Sequence, residues 1–267
     1  MLDVKTFSPY LQQEKFDHLA GYNSFQTGGS FYVAHEKCKL FQPDAIYGDV
    51  TMYVKTLMYA NPNGQLTYIG EQLKRKDLSE LIALECADKY IERSLKSGLL
   101  KERSGALYVE KGAALSRESD VKLGNGRRAT AISINGFDYL YRKYACVGNV
   151  SILGHLFAAM PFINARFNVL CHNPDELNFD DIIPMTSVEI ADALGLCETY
   201  SLEFVDDFKD YLIVNNDEEF QTIVGEAKRS PVLNCVAHPC AGMLMVVNPN
   251  LIYSGDRYNA VNLLGGF

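Results

Sequence analysis

Residues 78–103, LSELIALECADKYIERSLKSGLLKER, decide the fold of this chain. On both sides of residues 83–88, apolar side chains recur at spacings of three and four, which predicts two short helices that each turn one face towards a core. The apolar pattern changes phase across residues 83–88, as it does at a turn between two helices that meet at an angle. This stretch therefore predicts a helix-turn-helix.

The residues after the second predicted helix indicate a β-hairpin. Ser97 and Gly98 end the helix, and the small residues Ser104 and Gly105 form a turn ahead of the strand-like segment ALYVE. A helix pair followed by a hairpin is typical of a winged helix, whose second helix reads the major groove of DNA. The cations predicted to contact DNA here are Lys89, Arg93 and Lys96 on the helix and Lys101 and Arg103 on the wing.

The preceding segments supply the other elements of a winged helix. Residues 44–60 predict its first helix, which an Asn-Pro-Asn-Gly sequence stops, and QLTYIG at 65–70 predicts a short strand. Before this module, two aromatic runs around a Thr-Gly-Gly-Ser loop predict a small hairpin or a structural arm that packs on the first domain. The basic triplet Lys74, Arg75 and Lys76 either lies on a solvated helix face or contacts phosphate.

A second turn that carries arginine follows the first hairpin. A Gly-Asn-Gly sequence at 124–126 precedes Arg127 and Arg128, which would lie at the tip of a second wing and enter a minor groove, where arginine is favoured. The alternative is a solvated loop, since charged runs commonly form solvated faces. The ATAISI segment at 129–134 predicts a strand, and the next segment joins the two halves of the chain, with a boundary near residue 145.

The second half of the chain repeats this order of elements. An apolar segment that begins at residue 152 predicts a buried helix, broken or kinked at Pro161. The segment MTSVEIADALG predicts a short helix that Thr186 or Ser187 caps and a glycine ends, and residues 198–211 predict a second helix. The segments LNCVAH and GMLMVVNP then predict two strands.

The charges of the predicted helix at 198–211 differ from those of the first module. It carries five carboxylates against Lys209, and like charges that face phosphates lower the affinity for DNA. Residues 148–267 as a whole hold 5 Lys and Arg against 16 Asp and Glu, whereas residues 1–147 hold 20 against 17. We therefore expect the second module to pack on the first one, or on a second copy of the chain, rather than to read a major groove.

Composition bounds the class of protein. The chain has 267 residues, 48% of them hydrophobic, and a net charge of −8, which fits one large or two ordinary globular domains. It contains no run of about eighteen apolar residues that could span a bilayer, and its N-terminus lacks the order of a signal peptide. We therefore expect a cytoplasmic protein without a membrane partner, whose seven cysteines are reduced thiols.

The sequence offers one possible metal site and no enzyme motif. A Cys-x-x-His-x-Cys cluster and a Cys-His pair could together bind zinc if their strands are neighbours, although the spacing matches no standard zinc knuckle and favours buried free thiols. There is no phosphate loop, dinucleotide-binding glycine motif, zinc-protease motif or serine-hydrolase motif. We expect neither catalysis nor a cofactor. The two clusters consist of Cys235, His238 and Cys240, and of Cys171 and His172.

Segments in both halves of the chain together resemble one family of proteins. They are PFINARFNVLCHNPDE, MTSVEIADALG and VVNPNLIYSGDRYNAVNLL in the second half, and LSELI, YIERSLKSGLL and ALYVEKG in the first. They are similar to segments of the tandem winged-helix proteins of Gram-positive plasmids and phages, which are replication proteins or MarR-like regulators. Asn248-Pro249 with Tyr253 and Gly255 also resembles the end of plasmid replication-initiator winged helices. The resemblance implies DNA binding in the control of replication or transcription.

These observations predict an α+β protein with two tandem winged helix-turn-helix domains. We expect an N-terminal arm at 1–44, a first winged-helix domain with the basic stripe at 45–145 and an acidic second domain at 146–267. The favoured function is that of a dimeric, sequence-specific transcriptional regulator of a plasmid or phage that binds double-stranded DNA. Two alternatives stay open: a replication initiator that binds origin repeats, and a degenerate winged-helix protein that binds a basic protein instead of DNA.

Overall fold

The computed structural model describes residues 30–34, 46–115, 129–196, 212–214, 229–238, 242–248 and 251–253. Helices and small antiparallel sheets alternate along the chain, so the protein belongs to the α+β class, as the sequence predicts. The chain divides into two compact units, Met1–Ala158 and Ala159–Phe267, which we call the first and second units. In the described part of the chain, no helix combines the length and apolar character needed to cross a membrane.

The first unit contains five helices and seven short strands among its described residues. The helices are α1 (Tyr47–Leu57), α2 (Arg75–Ile82), α3 (Ala87–Ser97), α4 (Ile134–Cys146) and α5 (Ser151–Ala158). The strands are β1 (Ser30–Ala34), β2 (Thr67–Tyr68), β3 (Glu71–Gln72), β4 (Lys101–Arg103), β5 (Ala106–Tyr108), β6 (Ala114–Leu115) and β7 (Ala129–Ser133).

The two helices predicted within residues 78–103 and the hairpin after them are confirmed. Helix α2 ends at Ala83, which has a left-handed backbone (φ 55°), and α3 ends at Gly98 (φ 79°). The strands β4 and β5 pair antiparallel across a tight turn at Ser104 (φ 52°) and Gly105 (φ 79°). Two successive positive φ angles give the turn the twist that a two-residue hairpin needs, which explains the small residues there.

Strand β1 lies between β6 and β7 and pairs antiparallel with both. Its pairing with β7 runs from Ser30 opposite Ser133 to Ala34 opposite Ala129, which confirms the strand predicted at 129–134. The structural arm predicted before residue 45 thus contributes a strand to the first unit, whereas the predicted hairpin partner at 24–26 lies outside the described residues. Helix α4 follows β7 directly, and the Ser133 hydroxyl accepts a hydrogen bond from Gly136 N–H at its start.

Helices α1 and α5 pack closely on each other. The hydroxyl of Thr51 donates to the carbonyl oxygen of Val150 at 2.6 Å, and Gly154 lets the backbone of α5 approach Tyr47. Every residue of α5 from 152 to 158 is buried. The sequence predicts a domain boundary near residue 145, and α5 belongs to the first unit, which ends at Ala158. A helix that is apolar all round must be covered on every side.

The second unit contains short helical segments and strands. Two 3₁₀ turns, Met160–Phe162 and Phe179–Asp181, precede α6 (Ser187–Ala193). The predicted break at Pro161 is confirmed, since Pro161 lies in the first of these turns. The strands are β8 (Leu212–Val214), β9 (Arg229–Pro231), β10 (Leu233–His238), β11 (Gly242–Val247) and β12 (Ile252–Tyr253).

The predicted cap and hairpin of the second unit are also confirmed. Thr186 caps α6 in a reciprocal capping box with Glu189, in which the Thr186 hydroxyl accepts from Glu189 N–H and the Glu189 carboxylate accepts from Thr186 N–H. Strands β10 and β11 pair antiparallel over their whole length. The acidic helix predicted at 198–211 lies outside the described residues.

In the first unit, the segment after α1 attaches to the second strand of the β4–β5 hairpin. Leu66 N–H donates to Leu107 C=O at 2.9 Å, and Val109 N–H donates to Gly64 C=O at 2.7 Å. Leu73 lies two residues before α2 begins, and its N–H donates to Leu66 C=O at 3.0 Å. Gly64 has a left-handed backbone (φ 80°).

The second unit repeats this hydrogen-bond pattern. Leu170 N–H donates to Met245 C=O on β11 at 2.9 Å, and Val247 N–H donates to Asn168 C=O at 3.0 Å. Met185 lies two residues before α6 begins, and its N–H donates to Leu170 C=O at 3.0 Å. Asn168 has a left-handed backbone (φ 59°), as Gly64 does. Both units therefore connect the segment after a left-handed residue, the next helix and a later hairpin in the same way.

Candidate nucleic-acid interface

Helix α3 has one buried face and one exposed face. Its buried residues are Ala87, Tyr90, Ile91 and Ser94, and the Tyr90 hydroxyl shares a hydrogen bond of 3.0 Å with the Thr56 hydroxyl on α1. Successive residues of an α-helix lie 100° apart around its axis, so residues i, i+3 and i+7 share one side of the helix. In α3 the side directly opposite the buried face is formed by three residues with this spacing. Those positions are Lys89, Glu92 and Lys96, all of which are exposed, and we call them the outward face of α3.

Arg93 attaches α3 to α1 rather than projecting freely. Its Nε donates to Asp49 Oδ2 at 2.8 Å, and its Nη2 contacts Asp49 Oδ1, which makes a bidentate ion pair. Asp49 is buried, and its hydrogen bond raises the pKa of the Arg93 guanidinium. A bidentate charge-assisted pair fixes the geometry of both partners. The sequence analysis assigned Arg93 to DNA, whereas the structure gives it a carboxylate partner within the fold.

Arg75 has a similar partner on the β4–β5 hairpin. Its Nε donates to Glu102 Oε2 at 3.0 Å and its Nη2 contacts the same oxygen, so the start of α2 is joined to β4. The hydrogen bond to Glu102 raises the pKa of Arg75. The rest of the basic triplet is exposed: Lys76 pairs with Glu80 at 3.7 Å, and Lys74 N–H donates to Asp77 Oδ2 at 2.9 Å.

The β4–β5 hairpin, which follows α3, adds two exposed cations. Lys101 and Arg103 both lie on β4, and the Arg103 guanidinium stacks over the Tyr108 ring with 5.7 Å to its centroid. Residues 74–103 carry eight cations and six carboxylates, so the surface is only weakly positive. Three of the eight, Arg75, Lys76 and Arg93, form ion pairs with carboxylates of the fold. Arg127 and Arg128, the predicted tip of a second wing, lie outside the described residues.

A buried charged cluster joins α1 to α4, which the sequence analysis missed. Lys55 is fully buried, its Nζ donates to Asp138 Oδ1 at 3.1 Å, and Arg142 pairs with the other oxygen of Asp138 at 2.7 Å. The Lys55 ammonium lies 5.0 Å from the centre of the Tyr141 ring. Burial lowers the pKa of Lys55, and the Asp138 carboxylate opposes this shift. The sequence signal for this buried cluster is a lysine inside the apolar segment YGDVTMYVKTL.

The candidate zinc ligands do not form a metal site within the described residues. The Cys171 thiol is buried in an apolar cluster, and His172 Nε2 lies 3.2 Å from Glu189 Oε1. Cys235 is half-buried, the side chain of His238 is not described, and Cys240 lies outside the described residues. Among the residues that the structure covers, no group of three or more His, Cys, Asp or Glu is placed to hold a metal ion.

Comparison of the chain with known proteins identified no relative. No protein-family model matches the chain, and searches of curated proteins and of solved structures found no significant match.

Proposed function

We propose that residues 46–109 form a winged helix-turn-helix that binds double-stranded DNA. In this proposal α3 enters the major groove and the β4–β5 wing lies against the phosphate backbone. The observation that carries the proposal is the outward face of α3, whose Lys89 and Lys96 are exposed, together with the exposed cations of β4, which begins four residues after α3 ends. The buried face of the same helix is fixed by Tyr90, so the lysines project from a rigid support.

The repeated hydrogen-bond pattern supports two tandem winged helices. In each unit a segment after a left-handed residue hydrogen-bonds to the second strand of a later hairpin and to the residue two positions before the next helix. A helix, a strand, further helices and a hairpin in this order are the elements of the winged helix. The sequence resemblance to plasmid and phage proteins implies the same architecture and DNA binding in the control of replication or transcription, and a dimeric transcriptional regulator is the form of this function that we favour.

Binding to a mixed-sequence duplex as a function of salt tests the proposal. Each lysine that contacts a phosphate contributes about one unit to the slope of log K against log salt. We expect Lys96→Ala to lower both affinity and slope. Lys111→Ala, at the opposite end of β5 from the hairpin turn, removes the same charge and should change neither. Absence of binding at low salt, or binding that does not depend on salt, would overturn the proposal.

Two alternatives share part of this geometry. A replication initiator would use the same interface on an array of same-sense repeats, whereas a dimeric regulator would protect a palindrome, so footprinting separates them. The excess of 16 carboxylates over 5 cations in residues 148–267 favours a third role, in which the second unit binds a basic protein. In that case the chain would be captured by a basic protein and would show no affinity for DNA at low salt.

A further inference from the structure

We propose that Glu92 determines sequence specificity by accepting a hydrogen bond from the exocyclic amino group of cytosine in the major groove. This inference rests on the proposed DNA binding through α3. It assigns to Glu92 a role that differs from that of the lysines on either side of it, which contact phosphate in any sequence.

The position of Glu92 on the helix supports this role. Glu92 lies on the outward face of α3, three residues after Lys89 and four residues before Lys96, and its side chain is exposed. Whenever the two lysines face DNA, Glu92 between them faces DNA too. The carboxylate is thus placed at the centre of the proposed interface and not at its edge.

Three other carboxylates near the interface have partners within the fold. Asp49 binds Arg93, Glu102 binds Arg75, and Asp77 accepts from the backbone at the start of α2. Glu92 takes part in no salt bridge among the described residues. The negative charge of Glu92 acts electrostatically on the Arg75 guanidinium and contributes to its raised pKa. Unlike those three carboxylates, Glu92 is therefore available to a ligand.

The negative charge of the Glu92 carboxylate determines which group of the DNA it can bind. A carboxylate beside phosphates lowers affinity, so it is tolerated at the centre of a DNA interface where it gains a hydrogen bond from a base. Carboxylates accept from the N4 amino group of cytosine, whereas guanine presents only acceptors in the major groove. Glutamine pairs in contrast with adenine through N6 and N7. The proposal therefore predicts cytosine in the native site and a change towards adenine in Glu92→Gln.

Selection of binding sites from a randomised duplex pool tests this prediction. The protein, Glu92→Gln and the control Glu71→Gln, which removes one exposed carboxylate from β3, are each taken through the same selection. We expect one cytosine position to lose roughly 10-fold or more of its preference in Glu92→Gln and to move towards adenine, while Glu71→Gln keeps the original motif. Thermal unfolding of each variant verifies that the exposed substitutions leave the fold intact.

Two outcomes would overturn the inference, and they are distinguishable. If the protein selects a motif that Glu92→Gln leaves unchanged, Glu92 does not read a base and the DNA-binding function stands. If the unsubstituted protein enriches no sequence and retains no duplex at low salt, the proposed function fails and the inference fails with it. A Glu92→Ala variant that loses the cytosine preference without gaining adenine would support the proposal independently of the new glutamine.

Discussion

His155 couples the stability of the first unit to pH. It is 6% exposed and lies edge-on against Tyr47, with 4.2 Å between the ring centres. Burial lowers the pKa of His155 from 6.5 to about 4. Between these values the unfolded chain binds more protons than the folded one, so stability present above pH 6.5 is lost as the pH falls towards 4. The full loss is on the order of 3 kcal/mol, at about 1.4 kcal/mol per pKa unit.

We predict that His155→Gln flattens this acid dependence, because glutamine keeps a neutral polar side chain and takes up no proton. Urea unfolding at several pH values across the range from 6.5 to 4 measures the effect. His172→Gln, which removes an imidazole that lies 3.2 Å from Glu189 Oε1 in the second unit, is measured alongside it and gives the separate contribution of that pair. A free energy of unfolding that falls equally with acid in the protein and in His155→Gln would contradict the prediction.

The roles of single cations show what sequence patterns leave out. The spacing in α3 predicted which residues lie on the helix, but it could not show that Arg93 is bound by Asp49, 44 positions earlier. Arg75 and Glu102 are 27 positions apart, and Lys55 and Asp138 are 83 apart. These partners are brought together by tertiary folding, so no local period records them. The exposed lysines, which need no partner, were identified correctly as exposed.

Among the elements, the contact between α1 and α5 depends on a single glycine. A Cβ atom at Gly154 would lie 1.9 Å from the carbonyl oxygen of Tyr47, so Gly154→Ala forces the two backbones apart. Overpacking of this kind costs about 1–3 kcal/mol, which exceeds the gain of about 1 kcal/mol in helix propensity. We predict a lower midpoint of urea unfolding for Gly154→Ala.

Gly48 provides the matched control for this prediction. It also lies in a helix, α1, but a Cβ atom there would meet no atom within 4 Å. Gly48→Ala should therefore be neutral or stabilising by up to about 1 kcal/mol. Equal unfolding midpoints for the two alanine variants would show that close packing at Gly154 does not limit the approach of the helices.

Elements with local signals were predicted well, and pairings between distant segments were not. The ends of α2 and α3, the Ser104–Gly105 turn and the cap of α6 follow from residues within a few positions. The pairing of β1 with β7 joins residues about one hundred positions apart, and a short alternating strand does not identify its neighbour. The packing of α5 on α1 was missed for the same reason, because an apolar segment shows that it is buried but not by what.

At the scale of the whole molecule, the two units share one arrangement of backbone hydrogen bonds but differ in charge. Residues 1–147 have a small excess of cations, whereas residues 148–267 have 16 carboxylates against 5 cations. Backbone hydrogen bonds do not depend on surface charge, so the same framework can present either sign. This separation of framework from surface explains why the proposed DNA interface is assigned to the first unit.

The distribution of buried tyrosines leads to a prediction about alkaline unfolding. Burial raises the pKa of Tyr59, Tyr90 and Tyr141, all in the first unit, above the ordinary value of 10. Above that pH the folded state keeps protons that the unfolded chain has lost, so stability falls as the pH rises. Lys55 acts in the opposite direction, because its lowered pKa makes stability rise with pH until the unfolded value of 10.5, where its effect ends.

The chain has 16 tyrosines and no tryptophan, so near-ultraviolet tyrosinate absorbance follows these groups without interference. We predict that part of this absorbance appears only together with loss of helical circular dichroism, and that Tyr90→Phe reduces that part by one residue. Gradual ionisation of every tyrosine near pH 10, with the helical signal unchanged, would show that these three side chains are accessible to solvent.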